Sequence, residues 1–364
     1  MTRQLKHIFK GRGLPAELPI ASIIAGLWKN NEQGVWYDAS DLSTMFQDAA
    51  GTLPVYAPGS GQVDPPVGRI LDKSGRGNHA YQTTTTSRPT LSARYNLLTA
   101  TESLATQSVA VVATTYTLTT AGPGSVTLSG AASGAYGAGS RVVTCTAGTL
   151  TLTVSGSVTQ ADLRPANDGV GLPPYQRVVD ANTYDTVGFP LYLRFDGVDD
   201  WLQTASVDFS GTSSIFLAAA LRKLSDAARG MVLELGSSAE TKVGNFSLEA
   251  PSASLQNMAV RASGSSSLNT VRAESVSAPV SVCVSAKLDS GFGVSMRLNS
   301  GAWGATATAF GGNFSNAAIY IGRRTGASLQ FNGRLYSLLI RGDYTADSLI
   351  AKIGRYLNQK AKVF

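Results

Sequence analysis

Along most of the chain, apolar residues alternate with small polar ones in runs too short to be helices. Residues 125–129 read Ser-Val-Thr-Leu-Ser, residues 150–155 read Leu-Thr-Leu-Thr-Val-Ser, and residues 141–145 continue the theme. Successive side chains on a strand point to opposite faces, so a period of two predicts strands with one buried and one wet face. Glycines between 134 and 139, and Gly148, supply the turns. Similar runs recur at 191–195, 215–221, 231–235, 281–288, 293–298, 318–321 and 334–340, separated by turn-formers such as Asn299-Ser300-Gly301 and Gly311-Gly312-Asn313. Many short strands with glycine-rich connections, and no strand–helix alternation, predict a mainly β sandwich or jelly roll.

The last twenty residues follow a different period. Leu349, Ile350, Ile353, Tyr356 and Leu357 draw one apolar stripe on a helix. Thr345 is the expected N-cap, Asp347 complements the positive end of the helix dipole, and Lys352, Arg355 and Lys360 lie toward the negative end. Gly354 weakens this helix by about 1 kcal/mol relative to Ala.

Composition sharpens the picture in three places. At 364 residues the chain has material for about two domains. Only 15% of it is charged, against about 25% in typical globular proteins. The deficit is deepest in residues 95–178, which contain no lysine, three arginines and three acids. Two cysteines, Cys145 and Cys283, and two histidines, His7 and His79, exclude a disulfide-dense scaffold and Cys- or His-rich metal clusters. The net charge of +6 is concentrated at the start, where Arg3, Lys6, Lys10, Arg12 and Lys29 face only Glu17 within the first thirty residues. A nucleic-acid-binding domain carries its basic face on the folded body, so no nucleic-acid partner is expected. The longest apolar run, residues 20–27, is too short to span a membrane, and Pro15, Glu17 and Pro19 interrupt a signal-peptide core; no membrane insertion is expected.

Candidate chemistry is sparse. Asp196, Asp199 and Asp200 cluster in Phe-Asp-Gly-Val-Asp-Asp, but Gly197 and Asp side chains are what a turn between strands requires, and no loop supplies calcium's six to eight oxygens. The turn is the expectation; whether it also binds a metal stays open. Trp201 and Leu202, just after it, are expected to face the core. His79 has no nucleophile elbow and no second histidine nearby, so a structural hydrogen bond is expected of it. Trp36 and Tyr37 read as core or edge aromatics. Glycoside hydrolysis needs paired carboxylates, yet Glu234, Glu249 and Glu274 each stand alone, so no catalytic residue is assigned. Phosphate-cradling and zinc motifs are absent, and no cofactor or metal is expected. Sugar recognition uses an aromatic face and an amide that reads hydroxyls, which makes Trp303 and Asn313, both in glycine-rich loops, the candidate ligand-binding residues.

Several phrases together resemble one family. Gly34-Val35-Trp36-Tyr37-Asp38-Ala39-Ser40-Asp41 precedes Leu71-Asp72-Lys73-Ser74-Gly75-Arg76-Gly77-Asn78-His79-Ala80, then Arg88-Pro89, then Phe195-Asp196-Gly197-Val198-Asp199-Asp200-Trp201-Leu202. Asn332-Gly333-Arg334-Leu335-Tyr336-Ser337-Leu338-Leu339-Ile340 and a helix ending Tyr356-Leu357-Asn358-Gln359-Lys360 close the series. In this order they resemble the concanavalin A-like, laminin-G-like lectin and glucanase superfamily, in the version found among virion proteins of tailed bacteriophages. In simpler members the Arg-Pro and Phe-Asp-Gly phrases are nearly adjacent; here about a hundred residues intervene, which marks residues 95–178 as an insertion.

Residues 1–32, basic and with Gly11-Arg12-Gly13, Pro15 and Pro19, read as an extended docking arm, and together with the resemblance the chain divides into that arm, a first sandwich part (33–94), an inserted small antiparallel β module (95–178), a second sandwich part (179–343) and a C-terminal helix with its tail (344–364). The resemblance implies a non-enzymatic, surface-displayed virion protein, assembled in the bacterial host cytoplasm. The job it implies is that of a tail-fibre or baseplate receptor-binding component that docks on other virion proteins through the arm and adheres to a host surface glycan. Capsid decoration and polysaccharide degradation are the alternatives, and a homotrimer follows only by analogy with phage fibres.

Overall fold

The computed structural model describes residues 20–265, 270–304 and 308–364. Two antiparallel sheets face each other across one core. The first, seven-stranded, runs in the order Gly293–Leu298, Val280–Asp289, Ser214–Lys223, Asn332–Arg341, Tyr192–Asp196, Thr90–Ser92, with Gly34–Asp38 also paired to Asn332–Arg341. The second, nine-stranded, runs Thr270–Ser275, Asn257–Ala262, Phe246–Glu249, Met231–Leu235, Asn316–Ile321, Leu202–Asp208, Ala80–Tyr81, Arg69–Ile70, Met45–Phe46. The sequence expectation of a mainly β sandwich, with an inserted β module and a C-terminal helix, matches this architecture.

Alternation explains how one strand serves two cores. On Ser214–Lys223, Leu217, Ala219 and Leu221 join the core between the sheets, while Phe216, Ala218 and Ala220 join a second cluster on the outer face. The C-terminal helix α2 (Asp347–Ala361) covers that outer face with Ile350, Ile353, Tyr356 and Leu357. Gly354 is where the turn at Ser300 reaches the helix: a Cβ there would lie 3.0 Å from Ser300 Oγ. The capping residue is Ala346, not Thr345, because the Thr345 hydroxyl accepts from Arg341 Nη1 at 3.1 Å.

The expected docking arm differs from what the structure contains. Residues 1–19 lie outside the described residues, but a short helix α1 (Ile20–Ala25) and a 3-10 turn (Gly26–Trp28) follow directly. Ile24, Leu27 and Trp28 are buried against α2's cluster, so this stretch belongs to the core. Trp28 stacks on Trp36 with centroids 6.4 Å apart, and Trp36 Nε1 donates to Tyr356 at 3.2 Å. Ile24, Leu27 and Trp28 are therefore core-forming, which a basic flank in the sequence hid.

Residues 107–165 form two further small sheets, ordered Gly139–Cys145, Thr114–Ala121, Thr159–Pro165, and Gln107–Val111, Gly148–Ser155, Ser125–Gly130, Gly134–Tyr136. They enclose a separate core that includes Leu118, Val126, Leu150, Leu152 and Leu163. Two buried amides close the neck of this module. Gln176 accepts from the backbone amides of Tyr95 and Asn96 and donates to Ala93 and Asp185 carbonyls, while Asn96 Nδ2 donates to Ala161 and Gln176 carbonyls. On the module's return segment, past its last strand, Asp168 sits fully buried between Arg222 and Arg334 of the seven-stranded sheet, at 3.3 and 3.1 Å. Among the described residues no helix is long and apolar enough to cross a membrane.

Candidate functional site

A cleft of about 170 Å³ opens on the outer face of the seven-stranded sheet, beside the N-terminal end of α2. Phe216 supplies its apolar floor, Ile215 and Leu288 border it but send their side chains into the core between the sheets, and its polar groups are Ser214, Lys287, Asp289, Ser295 and Asp343. Two aromatic rings stand at it almost unburied: Phe292 is 80% and Tyr344 63% exposed. Exposed rings gain nothing for folding, whereas an apolar floor with a few convergent polar groups is what a small-ligand site requires.

Local chemistry fixes both walls. The hairpin carrying Phe292 is tied by Asp289, whose carboxylate accepts from Ser214 Oγ at 2.6 Å and from the Gly291 amide at 2.9 Å. The wall carrying Tyr344 is held by Arg341, which donates to the Leu27 carbonyl, to Glu32 and to Asp343 at 2.8, 2.7 and 3.0 Å, and also to the Tyr344 carbonyl. Burial works against the Glu32 charge, but hydrogen bonds from its own backbone amide, from Arg341 and from the Asn30 amide win and hold its carboxyl below the usual range. The two rings thus project from the hairpin tip and from the loop between the Asn332–Arg341 strand and α2.

Trp303 lies next to this cleft without lining it. It is half-buried, packed on the outer cluster, with Lys287 Nζ 4.4 Å and the Arg297 guanidinium 4.7 Å from its ring centroid. Lys287 also lines the cleft and pairs with Asp347 at 2.5 Å, so it links Trp303 to the site. Asn313 is exposed on an adjoining loop, which leans on the Phe292 hairpin through Phe310 and Gly311 amides donating to the Ser290 carbonyl. Its side-chain amide donates to the Ser210 carbonyl at 2.8 Å, a loop tie. The two sequence candidates therefore sit on different loops, and neither lines the cleft. Phe292 and Tyr344 escaped sequence reasoning because a single aromatic in a turn carries no periodic signal; Phe292 in Asp289-Ser290-Gly291-Phe292-Gly293, a hairpin tip, was the available hint.

The other motifs resolve into structure. Gly197 has φ +79°, and Asp196 accepts from the amides of Val198 and Asp199 at 2.7 and 3.3 Å, which is turn geometry. The Asp196, Asp199 and Asp200 carboxylates converge within 4.8 Å of one another. Burial, reinforced by Asp196, pushes the Asp200 carboxyl up to about 7. Leu202 enters the core as expected, but Trp201 does not: alternation turns it to the outer face of the nine-stranded sheet, where it stacks on Tyr320 at 6.0 Å. His79 Nδ1 accepts the Asp72 amide at 3.0 Å, and burial together with Arg69 lowers its pKa. Asp72 in turn accepts from the amides of Trp36, Ser74 and Asn78, so the Asp-Lys-Ser-Gly-Arg-Gly-Asn-His phrase is a loop wound around one carboxylate.

Glu234 and Glu249, isolated in sequence, come together on the outer face of the nine-stranded sheet, because Glu234 pairs with Ser247 and Ser247 shares a face with Glu249. Both are fully buried. Glu249 binds Arg229 at 2.9 Å and Arg261 at 2.5 Å, and Glu234 binds Arg324 at 3.0 Å. Burial raises the Glu234 pKa against the pull of Arg324. Each carboxylate is occupied by guanidinium groups and closed to solvent.

No family model and no curated protein matches this sequence. Among solved structures, the chain is similar to the binding domain of botulinum neurotoxin serotype G, at 6% identity and a TM-score of 0.38, over 47% of this chain and 44% of that one. It is also similar to the CBM40 domain of Ruminococcus gnavus IT-sialidase bound to α2,3-sialyllactose, at 15% identity and a TM-score of 0.33, over 44% of this chain and 94% of that domain. A third is Trypanosoma rangeli sialidase, at 11% identity and a TM-score of 0.34, over 45% of this chain and 27% of that one. The chain spans less than half the length of the neurotoxin domains it matches.

Proposed function

We propose that this chain is a non-enzymatic, surface-displayed adhesion protein of a tailed-phage virion, a tail-fibre or baseplate component whose sandwich binds a host surface glycan in the Phe292–Tyr344 cleft. The observation that carries the reading is that pair of rings, 80% and 63% exposed, carried by two turns beside Phe216 with Lys287, Asp289 and Asp343 within reach. Ring faces stack on the C–H surface of a sugar, and the charged and hydroxyl groups read its hydroxyls. The ordered phrases from Gly34 to Lys360 support the virion setting. The non-enzymatic reading is supported by the engagement of Glu234 and Glu249 with arginines, which leaves neither free to protonate a leaving group.

The test is a glycan array probed with the purified chain, followed by titration of the retained neutral oligosaccharides. Phe292→Ala and Tyr344→Ala are each expected to weaken binding about tenfold, or about 1.4 kcal/mol. Unchanged affinity in the double variant overturns the assignment of the cleft. Release of reducing ends from a bound polysaccharide overturns the non-enzymatic reading. Antibody labelling of purified particles over the capsid, with none at the tail, overturns the tail assignment.

A further inference from the structure

The outer face of the nine-stranded sheet carries a second constellation, separate from the cleft. Register places Arg69 opposite Tyr81, Tyr81 opposite Gln203, and Gln203 opposite Tyr320, so these four side chains form one row across four neighbouring strands. At about 4.8 Å per strand the row is about 14 Å long. At one end an open groove of about 440 Å³ is lined by Arg69, His79, Tyr81 and Thr83. At the other, Trp201 stacks on Tyr320 with planes 26° apart, and the Arg323 guanidinium lies 3.5 Å from the Trp201 ring centroid.

The charges on this face are unevenly neutralised. One strand further along, Arg229, Arg261 and Arg324 are matched by Glu234, Glu240 and Glu249. Arg69 and Arg323 have no carboxylate within ion-pair distance among the described residues; Arg69 donates to the Ala50 carbonyl, and Nε of each is buried without a hydrogen-bond partner. Burial without a counter-ion lowers the Arg323 pKa. A guanidinium is a planar fork that suits carboxylate or phosphate, and one that is half-buried and unpaired is left short of the anion that would satisfy it.

We infer that this row is a binding site for an anionic saccharide, with its acid groups on Arg69 and Arg323 and its rings against Tyr81, Tyr320 and Gln203. The site stands on observations independent of the Phe292–Tyr344 cleft, and it adds a ligand class, acidic saccharides, that the cleft does not specify.

The experiment is a titration of the full chain with three oligosaccharides of equal length: carboxylated, phosphorylated and neutral. At least one acidic probe is expected to bind tenfold or more tighter than the neutral one, with affinity that falls as salt rises from 50 to 500 mM (about 14 to 4 Å of screening length). Arg69→Gln and Arg323→Gln are each expected to weaken the acidic probe at least fivefold, while Phe292→Ala with Tyr344→Ala leaves it unchanged. Preference for the carboxylated or the phosphorylated probe identifies the source of the anion. Equal affinity for all three probes, or unchanged acidic binding in both arginine variants with wild-type melting curves, overturns the inference. Loss of neutral binding in the cleft variants alone would leave it standing.

Discussion

Removing the Asp168 carboxylate is the sharpest available perturbation of how the inserted module's return segment is fixed to the sandwich. Asp168 is 2% exposed and stands 3.3 Å from Arg222 and 3.1 Å from Arg334. At an effective dielectric of about 20 each contact is worth about 5 kcal/mol of gross attraction, most of it offset by the cost of taking three charges out of water. Asp168→Ala leaves two guanidinium groups facing a gap. Arg222 keeps Ser281 Oγ at 2.8 Å, and Arg334 keeps the Tyr95 and Tyr192 ring faces at 4.8 and 4.5 Å, so part of each charge remains solvated by the protein. The expected loss is about 3–5 kcal/mol, the range for breaking a buried ion pair from one side. Equilibrium urea unfolding followed by tryptophan fluorescence measures it. Replacing all three residues together, Arg222→Met, Asp168→Leu and Arg334→Met, is expected to recover most of that loss, because the triad's cost is desolvation and not missing volume. A loss below about 1 kcal/mol in Asp168→Ala, or a triple variant less stable than the single one, refutes this reasoning.

Other outcomes follow from the same contacts. Burial and the neighbouring Asp196 push the Asp200 carboxyl up to about 7 from its ordinary 3.8, so the folded state holds its proton more tightly and stability falls as pH rises from about 4 to about 7; Asp200→Asn is expected to flatten that part of a melting-temperature profile. His79 has a folded pKa below 6.5 because burial and Arg69 disfavour its charge, so its contribution is present above about pH 6.5 and lost as pH falls; His79→Gln is expected to reduce that acid-side loss in the same profile. A Cβ on Gly34 would stand 2.0 Å from the Ile340 carbonyl oxygen and 2.4 Å from Trp28 Nε1, so Gly34→Ala is expected to cut soluble yield sharply, with a lowered melting temperature in whatever folds. Ile353→Ala, at a fully buried position of α2, is expected to cost about 2–5 kcal/mol in urea unfolding.

The alternating runs were legible within two residues, 125–129 as Ser125–Gly130 and 150–155 as Gly148–Ser155, and so were the apolar runs: residues 231–235 coincide with a strand, and residues 215–221 extend to Ser214–Lys223. The helix was legible because one stripe served one surface. Phe246–Glu249 alternates too, but four residues are too short a run to stand out by period, and Glu249, which the pattern reads as solvent-facing, is buried in ion pairs with Arg229 and Arg261. The same substitution of ion pairs for water hid the meeting of Glu234 and Glu249. Residues 20–28 read as an arm since the partners that bury Ile24 and Trp28 come from α2, more than three hundred residues away. Trp201 was misplaced by one residue of parity, which on a strand reverses the face. The cleft was the least legible element: its aromatics come from two turns, and only tertiary structure brings Phe292 and Tyr344 to one opening.

The most direct test of the adhesion account is a crystal structure of the full chain with a neutral oligosaccharide that it retains on an array. The account predicts a sugar ring stacked on Phe292 or Tyr344, with hydroxyls within hydrogen-bond distance of Lys287, Asp289 or Asp343. A sugar bound elsewhere on the chain, with the Phe292–Tyr344 cleft empty, would contradict it.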